Sequence, residues 1–149
     1  MVLAGALAAG MAFTALAQDK KPTQDEAKAL TQKAAALIAA EGPEKACEAF
    51  NAKGSEWYYG EIYVNIIDPA GIWRCYPPKP AGVGNNVINV KDADGKFLVQ
   101  DIIKLAKDTG EGWVEYRWMN PASSKIEPKI TYVKAVPAKD VITYVGIYK

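Results

Sequence analysis

The sequence predicts an α+β domain organised around one antiparallel sheet, and three patterns carry that prediction. Apolar residues recur at helical spacing across residues 27–38, alternation of period two begins after Trp57, and three strand-like runs joined by short connections close the chain. The 149 residues carry a formal net charge of +1, with lysines and acids scattered rather than clustered. Such a balance points away from a nucleic-acid partner or an anionic membrane surface.

Ahead of the domain stands a leader. Residues 1–17 hold no charge, are rich in Ala and Gly, and end in Ala15-Leu16-Ala17 before Gln18-Asp19-Lys20. That is the pattern of a secretory signal peptide with a small-x-small cleavage site, although the basic residues that usually open one are missing. An uncleaved anchor is the rival reading, but a bilayer span takes about 20 apolar residues, more than this run supplies. Cleavage leaves residues 18–149, enough for one domain with a real core and without a further apolar run to insert in a membrane.

Thr23 to Glu26 supply a T-x-x-E capping box, and Ala27, Leu30, Ala34, Leu37 and Ile38 then form one apolar stripe. Gly42-Pro43 interrupts this helix, Pro43 opens a second stretch with Ala46, Cys47 and Phe50 on one side, and Gly54 is the expected C-cap. The first third thus reads as a long, bent helix. In residues 61–68, Ile62, Val64 and Ile66 point to one face while Tyr63, Asn65 and Ile67 point to the other. Asp68-Pro69-Ala70-Gly71 is a turn, so 61–76 reads as a hairpin. Pro77, Pro78 and Pro80 then force an irregular loop through Gly82 and Gly84, a candidate pocket rim.

Asp92-Ala93-Asp94-Gly95 invites a calcium reading, but an EF-hand loop needs glycine at its sixth position and glutamate at its twelfth. Here glycine comes fourth and the twelfth residue is Ile103, so the stretch is expected to be a turn and N-cap for a helix over 96–107 that buries Leu98, Ile102 and Leu105. Strand 113–119, a loop at 120–128, strand 129–136, a turn at 137–140 and a last strand complete an antiparallel meander.

Chemistry is bounded by what is missing. The chain has no histidine, which removes the commonest general base and metal ligand, and it shows no nucleophile elbow, P-loop or dinucleotide fingerprint. Neither an enzyme, a metal centre nor a cofactor is supported. Cys47 and Cys75 lack C-x-x-C spacing, and in an exported protein a disulfide between them is the expectation, with two separately buried thiols as the alternative. The two arginines, Arg74 and Arg117, each sit beside tryptophan, either as an anion clamp or as cross-strand cation-π pairs. Val114, Tyr116 and Trp118 share one strand face and Trp113, Glu115 and Arg117 the other, which looks solvent-directed. Tyr116 and Trp118 therefore line a cavity or pack beneath a helix.

Taken in order, A-C-E-A-F-N-A-K-G, G-E-I-Y-V-N-I-I-D-P-A-G, K-D-A-D-G-K-F, G-W-V-E-Y-R-W-M-N-P, E-P-K-I-T-Y-V-K and V-G-I-Y resemble the single Cache domain, type 2, of bacterial extracytoplasmic sensors. The resemblance spans about residues 28–148. It implies a PAS-like Cache fold in which a long N-terminal helix packs on a central antiparallel β-sheet whose other face cups a ligand. Members typically bind small organic acids such as acetate, propionate, lactate or pyruvate, and most are held between two membrane helices. With a leader, no second span and no output domain, this chain resembles a stand-alone periplasmic member.

Carried over by position, Lys129, Tyr116, Trp118 and Tyr132 match recurrent pocket positions, with Lys129 the candidate partner for a ligand carboxylate. A regular strand puts Lys129 and Tyr132 on opposite faces, so their joint use requires a bulge or twist near Pro128. Tyr76 stands where relatives often have histidine, which removes a group that titrates near neutral pH. The expectation is a periplasmic module that binds a C2 to C4 monocarboxylate and presents the loaded form to a membrane sensor or transporter. A ligand-free Cache scaffold serving as an interaction or accessory subunit is the alternative.

Overall fold

The computed structural model describes residues 20–149, so the expected leader at 1–17 lies outside the described residues. Thr23 opens the first helix, α1 (Gln24–Glu41). Its side chain accepts from the Glu26 amide while the Glu26 carboxylate accepts from the Thr23 amide, a complete capping box. Gly42, at φ +89°, breaks the chain into a separate helix, α2 (Pro43–Phe50), so the expected single bent helix is two. Asn51 rather than Gly54 ends α2. Gly54 belongs to the following turn, where its amide donates to the Tyr58 carbonyl.

Short strands follow: β1 (Tyr58–Tyr59), β2 (Ile62–Tyr63), β3 (Asn65–Ile67) and β4 (Trp73–Cys75). Alternation through β2 and β3 runs as expected. Ile62, Val64 and Ile66 pack beneath α1 and α2, while Tyr63, Asn65 and Ile67 face the opposite side. Asp68 builds the β3–β4 turn by accepting from the amides of Ala70 and Ile72 through Oδ1.

Residues 76–97 form a long loop containing one 3-10 turn (Pro80–Gly82), and α3 follows (Leu98–Thr109). The helix starts two residues later than expected and Phe97, not the Asp92 turn, stands at its N-cap. Asp92 has other work. Its Oδ1 accepts from the amides of Asp94 and Lys96, and its Oδ2 accepts from the Arg117 amide on the free edge of the sheet, in the strand that spans Glu111–Asn120. The acidic turn thus closes an edge that would otherwise expose unpaired donors.

The meander is longer than its sequence pattern suggests: β5 (Glu111–Asn120), β6 (Lys125–Val136) and β7 (Val141–Tyr148). The expected loop at 120–128 is mostly strand, turned tightly at 121–124. Asn120 shapes that turn by accepting from Ala122 through Oδ1 and from the Ser124 amide through its carbonyl. Pro128 is tolerated inside β6 because its carbonyl, which points the same way as its nitrogen, meets the Lys149 amide just past the end of β7. No ladder bond to β5 is lost.

The five-stranded sheet has the order β4-β3-β7-β6-β5, and every pairing is antiparallel. One face carries α1 and α2 over a core that includes Ile38, Phe50, Val64 and Val145. The other carries α3 and the 76–97 loop over Ile67, Ile102, Val133 and Tyr144. Of the face expected to meet solvent, Glu115 and Arg117 are exposed, but Trp113 is a correction: it packs partly buried on the α1 side, where it meets Tyr132 edge to face at 4.9 Å. Cys47 of α2 and Cys75 of β4 are bonded, with Cα atoms 5.6 Å apart. Among the described residues no helix is long and apolar enough to cross a membrane.

Candidate ligand-binding site

Between the sheet and the 76–97 loop the second face encloses a small cavity. Its floor is set by one substitution-sensitive position in β7. A Cβ on Gly146 would come within 2.3 Å of Lys129 Cε and 2.4 Å of Thr131 Oγ1. Only glycine lets the Lys129 stem cross the strand there, which explains a residue otherwise unfavourable inside a sheet. Lys129 reaches across to Tyr63, donating to its hydroxyl at 2.7 Å, and lies 4.3 Å from the Tyr63 ring centroid and 5.0 Å from that of Tyr148.

Lys129 is 1% exposed. Among the described residues its ammonium hydrogen-bonds only to Tyr63, leaving the other donors of a three-donor group without a partner. Burial lowers its pKa from 10.5 to about 7, against an opposing pull from the Glu61 carboxylate. Glu61 itself is held by the Asn120 side-chain amide at 3.3 Å and the Tyr148 backbone amide at 3.4 Å. The site is therefore a buried cation in a phenol cage.

Aromatic side chains make the walls. Tyr76, just after β4, stacks on Trp73 with centroids 4.0 Å apart and meets Tyr63 edge on at 6.0 Å. Its hydroxyl accepts from the Trp118 indole at 3.2 Å, a clasp between the 76–97 loop and β5. Gly82 packs over Trp73, where a Cβ would meet the ring at 3.3 Å. The Trp73 indole donates to Tyr144 at 3.2 Å, and Tyr116 shares a hydrogen bond with Thr131 at 2.9 Å. Burial pushes the phenols of Tyr63, Tyr76, Tyr116 and Tyr144 upward, so they stay protonated and able to donate. The enclosed space is about 10 Å³, close to the least that holds one water.

The structure brings together four of the five sequence-derived residues: Lys129, Tyr116, Trp118 and Tyr76 all line this cavity. Tyr132 stands on the other face. The β5–β6 and β6–β7 registers run unbroken past Pro128, so the bulge that its inclusion needs is not formed. Tyr132 instead donates to Glu111 at 2.6 Å beneath α1, with the Lys28 ammonium 5.5 Å from its ring. Neither arginine lines the cavity; Arg74 pairs with Glu44 of α2, and Arg117 lies 3.7 Å from Asp94. Sequence reasoning missed Tyr63, Asn65, Trp73 and Tyr144 as lining residues. The signal was available for the first two, since alternation had placed them opposite the Ile62-Val64-Ile66 core face.

Solved structures share this helix-backed antiparallel sheet. A methyl-accepting chemotaxis protein domain from Vibrio parahaemolyticus superposes with a TM-score of 0.72 at 22% identity, covering 83% of this chain and 86% of that one. A Cache chemosensory domain described for carboxylic acid recognition superposes at 0.66 with 25% identity, covering 83% and 86%. The chain belongs to the single Cache domain 2 family, whose model matches residues 3–149. The sensor histidine kinase MctS of Rhizobium johnstonii is 26% identical over 91 residues, which are 61% of this chain and 20% of that protein. The chain therefore spans a fraction of that relative's length.

Proposed function

We propose that the domain is an exported, extracytoplasmic sensing module that binds a small monocarboxylate of two to four carbons in the Lys129 cavity. The observation that carries this reading is Lys129 itself. A charged side chain taken fully out of water is expensive unless it is paired, and a ligand carboxylate would pair this buried ammonium. A carboxylate would accept from the ammonium and from the phenols of Tyr63 and Tyr76, which supply the several hydrogen bonds that desolvating an anion demands. Trp118 and Val99 would wall the short alkyl end. The similarity to a carboxylate-recognising Cache domain supports the same class. After removal of residues 1–17, the module would act outside the cytoplasm and report to a membrane sensor or transporter without catalysis.

A cavity of about 10 Å³ is too small for such a ligand, so binding requires the Tyr76–Trp118 clasp to part and the 76–97 loop to lift. That same tightness favours a second reading, a ligand-free scaffold that serves as an accessory subunit. Native mass spectrometry of the protein as purified, with a thermal scan against acetate, propionate, lactate and pyruvate, separates the two. A retained acid or an acid-dependent rise in melting temperature supports the sensor. A mass equal to the bare chain together with a flat thermal panel supports the scaffold.

A further inference from the structure

Asn65 is 1% exposed, lines the same cavity, and its Oδ1 has no hydrogen-bond partner among the described residues. Its amide orientation is set on the other side: Nδ2 faces the Tyr144 backbone carbonyl at 3.4 Å, an acceptor that Oδ1 cannot face in its place. A buried, unpaired amide oxygen costs folding free energy, and a native fold keeps one chiefly where function uses it.

The other polar groups around the cavity have the opposite character. Lys129, when protonated, can only donate. Tyr76 and Tyr144 each accept an indole N–H, from Trp118 and Trp73, and Tyr63 accepts from Lys129, so each of these phenols keeps its own proton to donate. Among the described residues no acidic side chain lines the cavity. Several donors and one acceptor describe a ligand with a carboxylate and one nearby hydroxyl. An ammonium in place of that hydroxyl would add a second buried cation beside Lys129, with the Glu61 carboxylate already drawn on by Lys129.

We infer that Asn65 is a specificity-determining residue whose Oδ1 accepts from the 2-hydroxyl of the ligand, so that the site selects a 2-hydroxy monocarboxylate over the unsubstituted and 2-keto acids. This rests on the carboxylate reading above and narrows it. A 2-keto acid would set its carbonyl oxygen against Oδ1, and an unsubstituted acid would leave Oδ1 buried and unpaired; either lowers affinity more than loss of a methyl contact does.

Calorimetric titration of the whole chain with D- and L-lactate, propionate, pyruvate and alanine tests it. One lactate enantiomer should bind at least about tenfold tighter than propionate, pyruvate and alanine, and in Asn65→Leu the lactate-to-propionate ratio should fall to near one. A ratio near one in the unmodified protein, a preference for any of the other three, or a ratio unchanged in Asn65→Leu overturns the inference. If Asn65→Leu does not fold, the ranking in the unmodified protein decides alone. Binding of acids without hydroxyl preference overturns this inference only, whereas no binding by any of them overturns the carboxylate reading as well.

Discussion

Lys129 holds its proton to about pH 7 in the folded protein against 10.5 for the free side chain, and two consequences follow at the scale of that residue. Below about pH 7 both folded and unfolded chains carry the proton, and the folded state bears the full cost of the buried charge. Between about 7 and 10 the unfolded chain binds more protons, so the stability of the ligand-free domain should rise with pH through that window. Denaturant titrations at several pH values check this, and Lys129→Met should flatten the curve. That same variant should stabilise the ligand-free domain at neutral pH by roughly 1–4 kcal/mol, because it exchanges an unpaired buried charge for an apolar chain of similar length. A loss of stability instead would mean that the cage already satisfies the ammonium.

Among the elements, β7 and the α2–β4 tie carry the sharpest expectations. Gly146→Ala would drive a methyl into the Lys129 stem and Thr131, two groups pinned by Tyr63 and Tyr116, and should cost about 1–3 kcal/mol in a thermal melt. The Cys47–Cys75 bond closes a separation of 28 residues, so reduction should cost on the order of 3 kcal/mol. Because Cys75 precedes Tyr76, reduction should also loosen the clasp, read as a change in Trp73 and Trp118 fluorescence. Much at this scale was legible beforehand: the capping box at Thr23, the two faces of residues 62–67, and the turn at 137–140 follow from spacing alone. The β5–β6 extension was not, because Pro128 reads as a strand breaker until its nitrogen is known to point away from β5, toward the chain end that meets its carbonyl through the Lys149 amide. Nor was the use of Asp92, whose partner Arg117 lies 25 positions away on a strand edge.

For the whole molecule, the sheet order β4-β3-β7-β6-β5 places the last strand in the centre and so sets residues from all five of these strands, together with Tyr63 of β2, around one cavity. Alternation within a strand could assign faces, which is why Tyr116 and Trp118 were found together. It could not say that Lys129 crosses β7 toward Tyr63, since that depends on the insertion of β7 between β3 and β6. Tyr132 and Lys129 part for one reason: strict alternation holds through β6, so Lys129 faces the cavity and Tyr132 the α1 side. If a buried, protonated Lys129 pairs with a carboxylate, as proposed, binding must favour the charged lysine. Calorimetric titration with the tightest-binding acid of the panel, at about pH 6 and about pH 9, reads this most directly. Affinity should fall by up to about tenfold per pH unit above pH 7, and Lys129→Met should abolish the binding heat. Affinity that is level across this range, or that survives Lys129→Met undiminished, would contradict the account.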